Sequence, residues 1–234
     1  MDKQIRIVTA TTLSSEEFWA TATLAKSMPF WEDPNDPIVI DVIERNSTGL
    51  PELYNRYLDE KYKGQIVLFV HDDVSIQDAM FQNKLRTAHE SYDVVGLAGG
   101  DNAVEDPELL LWHVMSRSKS GIVAHPTKDG SSVNSVCFGP TPSPVELLDG
   151  LFISVDIDAA LDRGYRWDED FNFHFYDLSF SLTVSEKGGT MGTWPIWVVH
   201  SGLGDSYQSD AWKKQQPTFK SKYRPRIRNK KALF

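Results

Sequence analysis

Three stretches of the chain gather side chains that could do chemistry. In QIVLFVHDDVSI, residues 65–76, an unbroken apolar run from Ile66 to Val70 ends on His71, Asp72 and Asp73. Neighbouring carboxylates repel unless something positive lies between them, and hard divalent ions prefer oxygen ligands. An Asp-rich turn with Asp73 capping the next helix would use the same residues. In RWDEDFNFHFYDLSFSL, Asp177 is flanked by Phe173, Tyr176, Phe180 and Leu182. A carboxylate in such company is partly desolvated, which raises its pKa and suits it to act as a base. On an exposed helix face it would be ordinary, and Asp168 and Glu169 are rivals for the role, or helix caps. In VVHSGLG, His200 ends an apolar strand before a glycine-rich loop, placed to meet a metal or a phosphate, or to be a loop histidine.

These residues need elements to carry them. IRIVTA (5–10), PIVIDVIE (37–44), QIVLFV (65–70) and DVVGLAGG (93–100) read as strands rich in β-branched residues. Between them, Ser14 and Glu17 stand at capping-box spacing before a helical stretch. Leu50, Leu53, Tyr54, Tyr57 and Leu58 recur at helical spacing behind Pro51, and an amphipathic helix is expected near 77–90. Alternation of strand and helix predicts a parallel sheet covered on both faces. Such sheets bind ligands beyond the carboxyl ends of their strands, where His71, Asp72 and Asp73 stand. The second half is less regular. IVAHP, NSVCF and LFISVDI read as short strands, DIDAALDRG as a short helix closed by Gly164, FHFYDLSFSLTVSEKGG as a longer helix, and TMGTWPIWVVH as a late strand ending on His200.

Composition narrows the classes. The 234 residues fit one large domain, or two small ones sharing a sheet, and 27 aromatic residues are enough to line a groove as well as fill a core. One cysteine, Cys137, excludes a disulfide within the chain and a Cys-based zinc site, and points to a reducing, cytoplasmic setting. The opening MDKQIRIVTATT lacks the apolar core of a signal peptide. The net charge of −9 is uneven: residues 211–234 carry nine Lys or Arg and no acid, leaving 15 basic against 33 acidic residues in the first 210. An acidic body argues against nucleic acid as a partner. The basic tail suits a phosphate or the inner, anionic face of a membrane, or is a solvated terminus.

VLFVHDDV, GLAGG, LLDGLFISV, WDEDFNFHFYDLSFSL, VVHSGLG, Trp212 and FKSKY follow one another in an order that resembles a glycosyltransferase-like group related to glycosyltransferase family two. ERNSTGLPELYN is similar to that group's stretch after the second strand. The resemblance implies an α/β fold of the GT-A type, Rossmann-like, with a mostly parallel central sheet flanked by helices and a smaller irregular acceptor half. One domain would span 1–234, with a nucleotide-binding half at 1–100, an acceptor half at 101–210 and the tail at 211–234. It implies a nucleoside diphosphate sugar donor, a glycan or other hydroxyl acceptor, and Mn2+ or Mg2+.

Carried onto this chain, HDD resembles the group's Asp-x-Asp motif with His71 in place of the first Asp. Asp73 would ligate the metal, with His200 completing the metal or diphosphate site, and Asp72 and His71 would face the donor. Thr9, Thr11, Glu44 and Asn46 would hold base and ribose. Tyr176-Asp177 resembles a Glu-Asp pair, with Asp177 the catalytic base. Asp149, Gly150, Trp112, Asp168, Glu169 and Tyr176 would line the sugar and acceptor pocket, and Lys220, Lys222 or Arg224 would approach the diphosphate. The expected reaction is inverting sugar transfer. The departures at His71 and Tyr176 also fit a domain that binds nucleotide or glycan without catalysis. A metal-dependent nucleotidyltransferase or phosphohydrolase could use the same Asp and His residues.

Overall fold

The computed structural model describes residues 3–104, 116–202, 209–226 and 228–229; Trp112 lies outside them. In chain order the strands are β1 (Gln4–Ala10), β2 (Val39–Ile43), β3 (Gln65–Val70), β4 (Val74–Ile76), β5 (Val94–Gly96), β6 (Ala98–Gly100), β7 (Ala103–Val104), β8 (Lys119–Pro126), β9 (Val133–Gly139), β10 (Ser143–Pro144), β11 (Leu147–Leu148), β12 (Phe152–Asp156), β13 (Met191–Thr193), β14 (Val198–His200) and β15 (Arg228–Asn229). The α-helices are α1 (Ser15–Thr21), α2 (Thr23–Ser27), α3 (Leu50–Asn55), α4 (Phe81–His89), α5 (Ile157–Arg163), α6 (Tyr176–Glu186) and α7 (Asp210–Tyr223).

Ile66–Val70 does not alternate because β3 is central: its side chains are at most 1% exposed, walled by β1 on one side and β12 on the other. Burying each such side chain contributes roughly 1.5–3 kcal/mol. The first sheet runs β10-β13-β5-β12-β3-β1-β2. β2, β1, β3, β5 and β13 point one way, as the alternating pattern predicts, while β12 and β10 run against them. β12 separates β3 from β5, so the second half of the chain completes the sheet begun by the first. A second sheet runs β11-β6-β8-β14-β4, with β9 paired to β8, and β15 pairs with β7.

Two stretches expected as single strands are each split between the sheets. DVVGLAGG turns at Leu97, giving β5 to the first sheet and β6 to the second; TMGTWPIWVVH turns at Trp194–Trp197, giving β13 and β14. Close packing demands the glycines of β6: a Cβ on Gly99 would sit 2.2 Å from the Leu147 carbonyl oxygen. The chain crosses between sheets again at His71–Asp73, from β3 to β4, and at Asp149–Leu151, from β11 to β12.

Helices follow the sequence with local changes. The capping box forms at Ser14 and Glu17, and the helical stretch that follows breaks at Ala22, whose backbone is extended. The break lets α2 dock, with Leu24 N–H donating to the Asp72 carbonyl at 3.0 Å. The helix expected near 77–90 begins only at Phe81, because Asp78 Oδ1 accepts the Met80 N–H and holds a turn there. α5 closes on Gly164 at φ 68°, in the left-handed region that glycine adopts freely. The basic tail is an ordered helix over Asp210–Tyr223, with Trp212, Phe219 and Tyr223 buried against the body. Among the described residues no helix is long and apolar enough to cross a membrane.

Candidate active site

The site sits where the chain crosses between sheets. β3 delivers His71 to the sheet edge, where its N–H donates to Leu151 O at 3.1 Å. β14 pairs antiparallel with β4, setting His200 opposite Val74, and Ser201 N–H donates to Asp73 O at 3.0 Å. His200 Nε2 thus lies 3.4 Å from Asp73 Oδ1. Burial by itself would raise the Asp73 pKa and lower that of His200. The attraction between them outweighs burial, so Asp73 titrates below the usual carboxylate range and His200 above the usual imidazole. His71 is shifted down, chiefly by burial.

The residues here fit a divalent cation. His71, Asp73 and His200 each offer a ligand atom, and these atoms lie within 4.8 Å of one another. Asp73 Oδ1 is buried, and its 3.4 Å contact with His200 Nε2 lacks hydrogen-bond geometry, which leaves a position for a ligand to complete. Gly202 keeps the space free: a Cβ there would stand 2.6 Å from His200 Nε2 and 2.8 Å from Asp73 Oδ2. In front of this corner opens a cleft of about 260 Å³, lined by Thr11, Asn46, Tyr54, His71, Asp73 and Phe173 among others. Phe173 is exposed and stacks on the His71 ring at 5.6 Å.

Asp177 comes from the first turn of α6. The residue before that helix, Phe175, has φ 65°, a conformation that is uncommon for a bulky side chain. Its ring, stacked on Phe219 at 4.9 Å and packed against Trp212 at 5.1 Å, holds the backbone there. Asp177 Oδ2 accepts the Gly150 N–H at 3.1 Å and Oδ1 accepts the Leu178 N–H at 2.9 Å. Those amides favour the ionised form. Burial and the negative charge of Asp149 outweigh them, and the Asp177 pKa rises to about 7. The charge of Asp149 is felt by His71 and His200 as well, so the crossing at Asp149–Leu151 joins the two halves of the site. Tyr176 completes the join: its hydroxyl donates to Gly150 O at 2.7 Å and lies 2.9 Å from His71 Nε2.

Other expected site residues are spread more widely. Thr11, Asn46, Asp72 and Asp73 line the cleft with His71. Thr9 is fully buried in β1 and is not among the cleft-lining residues. Glu44 instead accepts the Ser15 N–H at the start of α1. Asp168 and Glu169 do not line the cleft either: Asp168 accepts from the Tyr223 hydroxyl at 2.7 Å and pairs with Lys222, and Glu169 accepts from Asn55 Nδ2 at 2.8 Å. Docking of α7 causes this, since its last turn carries Lys222 and Tyr223 onto the 168–170 loop. It also draws Lys222 away from the diphosphate role. Tyr54, Phe173 and Gly202 are the residues sequence reasoning did not assign. Tyr54 was legible as part of an apolar helical stripe, whereas nothing in the sequence marks Phe173 as facing the cleft.

Residues 34–230 match the model of the Glycosyltransferase like family. No curated protein sequence matches the chain. Among solved structures it is similar to GalNAc-T7 with UDP, GalNAc and Mn2+, at TM-score 0.57 and 11% identity over 94% of this chain and 48% of that one. It is similar also to residues 1–349 of TarS from S. aureus, at TM-score 0.52 and 14% identity over 85% and 60%. A third is the mannosyltransferase PcManGT from Pyrobaculum calidifontis in complex with GDP-Man and Mn2+, at TM-score 0.50 and 11% identity over 88% and 59%. The chain spans about half to three-fifths of the length of these three. At such identities the likeness establishes the fold, which is GT-A. Because the family match runs from before β2 to the end of the tail helix, taking in His71–Asp73, Asp149, Asp177 and His200 alike, the chain belongs to the glycosyltransferase-like family.

Proposed function

We propose that the protein transfers a sugar from a nucleoside diphosphate sugar to an acceptor hydroxyl, with inversion, and that it needs Mn2+ or Mg2+ to do so. The observation that carries this reading is the gathering of His71, Asp73 and His200 ligand atoms within 4.8 Å, linked through the Tyr176 hydroxyl and Gly150 to Asp177, with the Asp73 pKa pushed down and that of Asp177 up to about 7. Well-separated pKa values are what a displacement with one charge-holding group and one base requires.

A cation bound at His71, Asp73 and His200 would neutralise the charge that grows on the departing diphosphate. Thr11 and Asn46 line the cleft and are placed to meet the nucleoside part of the donor. Asp177 would accept the proton of the attacking hydroxyl through a carboxylate oxygen, and the Gly150 and Leu178 amides hold that carboxylate in place. A single base acting on the face opposite the leaving group gives inversion in one displacement, through a transition state resembling that of glycoside hydrolysis. Similarity to structures of proteins in complex with UDP and GalNAc, UDP, or GDP-Man supports the donor class.

The test is a thermal-shift panel of nucleoside diphosphates and their sugars, with and without manganese, on wild type and Asp73→Ala. A ligand that binds the folded chain raises its apparent stability by mass action. Manganese-dependent stabilisation by one nucleoside diphosphate, lost in Asp73→Ala, is the expected result. No stabilisation by any of them would end the reading, and release of pyrophosphate rather than nucleoside diphosphate from a bound donor would replace it with nucleotidyl transfer.

A further inference from the structure

We propose that the tail helix α7 positions the base: Trp212 and Phe219 hold the Phe175 ring, which keeps the backbone left-handed there and directs the first turn of α6 so that the Asp177 carboxylate meets the Gly150 amide. The inference rests on Asp177 as the base of the reading above and adds what holds it in place.

The loop that joins Trp167 to α6 has two sides. Phe171 and Phe175 are buried and face α7, whereas Phe173 between them is 45% exposed and lines the cleft. On the α7 side Phe219 is the hub. Its ring stacks on Phe175 at 4.9 Å and on Tyr223 at 5.3 Å, and lies 5.9 Å from Phe171. Trp212 adds a second contact to Phe175 at 5.1 Å. Polar contacts tie down both ends of the loop. The Tyr223 hydroxyl donates to Asp168 Oδ2 at 2.7 Å, and Lys222 pairs with Asp168 and Asp170. The Ser209 side chain, which caps α7, stands 3.4 Å from His174 Nε2.

These contacts matter because of the backbone they hold. Phe175 has φ 65° and opens α6 with no side-chain cap. A left-handed conformation is unfavourable for any residue with a Cβ, and it persists only where the surroundings over-determine it. Its carbonyl accepts the Ser179 N–H at 2.9 Å, but the carbonyl at any helix start does the same. What is particular to this position is the ring, 4% exposed within the aromatic cluster of α7.

The consequence is one of direction. A residue at φ 65° sends the chain on a different course from one in the right-handed region, and Asp177 lies only two residues on. Released from α7, the turn would relax. Asp177 Oδ2 would part from the Gly150 N–H it accepts at 3.1 Å, and the Tyr176 hydroxyl from Gly150 O. The aromatic and basic residues of α7 thus act on the site through the loop, without lining the cleft themselves.

The experiment follows the Gly150 amide by 15N–1H NMR through a pH titration of the metal-free full chain. In wild type the amide should shift as the carboxylate it donates to ionises, at about pH 7. Asp149, His71 and His200 also stand near, so Asp177→Asn, which must abolish the step, assigns it. Phe219→Ala should lose the step. Trp212→Leu should reduce it, and serves where Phe219→Ala does not fold. Phe175→Gly should keep more of the step than Phe175→Ala, because glycine reaches φ 65° without the Cβ penalty. Leu85→Ala, which opens a cavity in the core beneath α4, should lower stability and leave the step whole. On the donor that the thermal-shift panel identifies, Phe219→Ala should lower kcat by roughly 10²-fold with KM unchanged, as a displaced catalytic group does.

No step in wild type, an unchanged step in folded Phe219→Ala or Trp212→Leu, an equal loss in Leu85→Ala, or Phe175→Ala matching Phe175→Gly would overturn the proposal. Normal turnover in Asp177→Asn, with the step behaving as expected in every variant, would instead remove Asp177 from the proposed function while its placement by α7 stands.

Discussion

Asp73 and Asp177 are identical side chains in opposite settings. Asp73 stands at a crossing between two sheets, where the His200 ring and the His71 ring face it, and it stays ionised. Asp177 stands in the first turn of a helix, shielded from water and beside Asp149, and its proton is held up to about pH 7. Two amides and the positive end of the α6 dipole act on Asp177 in the other direction and lose. Local backbone geometry therefore does not decide the chemistry of a carboxylate. Its charged neighbours and its access to water do.

The contrast can be broken at either end, and the largest effect should come from Asp177. Asp177→Asn should lower kcat by about 10²–10⁴-fold, the usual contribution of a general base, with donor and metal affinities unchanged by calorimetry. Near-normal turnover would remove Asp177 from the role. At the Asp73 end, Gly202→Ala pushes a methyl group against His200 Nε2 and Asp73 Oδ2. It should weaken manganese binding by roughly 10–100-fold, as loss of ligand orientation does, and leave the acid limb of the pH–rate profile in place.

A finer cut separates the causes of the Asp177 shift. Asp149→Asn removes the negative neighbour but leaves burial, so the acid limb of kcat should move to lower pH, and the rate at pH 6 should rise relative to that at pH 8. An unmoved limb would leave burial as the whole cause. The smallest effect is on stability. Asp177 has its pKa raised on folding from 3.8 to about 7. The unfolded chain releases this proton first, so the residue costs stability as pH climbs from about 4 to 7, and the cost is constant above that. Asp177→Asn should therefore be more stable than wild type at pH 8, by on the order of 1–2 kcal/mol given its partial exposure, and close to wild type at pH 4. Denaturant titrations at the two pH values measure the difference.

The two ends were not equally legible. His71, Asp72 and Asp73 are contiguous and follow an apolar run too continuous for a half-exposed strand, so their place together at a strand end was readable. Asp177 was readable as a desolvated carboxylate from its aromatic neighbours. Its partners Asp149 and Gly150 lie 28 and 27 residues away in sequence, and no local pattern ties them to it. Asp168 and Glu169 show the reverse failure. Their place in the same aromatic-rich stretch made them rivals of Asp177, but α7, which begins 42 residues after Asp168, folds back and engages Asp168 through Lys222 and Tyr223. The strands split at Leu97 and at Trp194–Trp197 escaped for a related reason: a continuous apolar run does not say which sheet each half will join.

By itself the sequence determined the strand–helix alternation, the buried central strand, the capping box of α1, the glycine stop of α5 and the acidic cluster at a strand end. Each follows from periodicity or from a side chain meeting backbone within a few residues, where chain connectivity supplies the proximity. Tertiary structure alone decided that β12 would part β3 from β5, that His200 would meet Asp73, and that Tyr176 would stand between His71 and Gly150. Those pairings join segments tens of residues or more apart, and their energies depend on burial and charge that exist only once the sheets have closed around them.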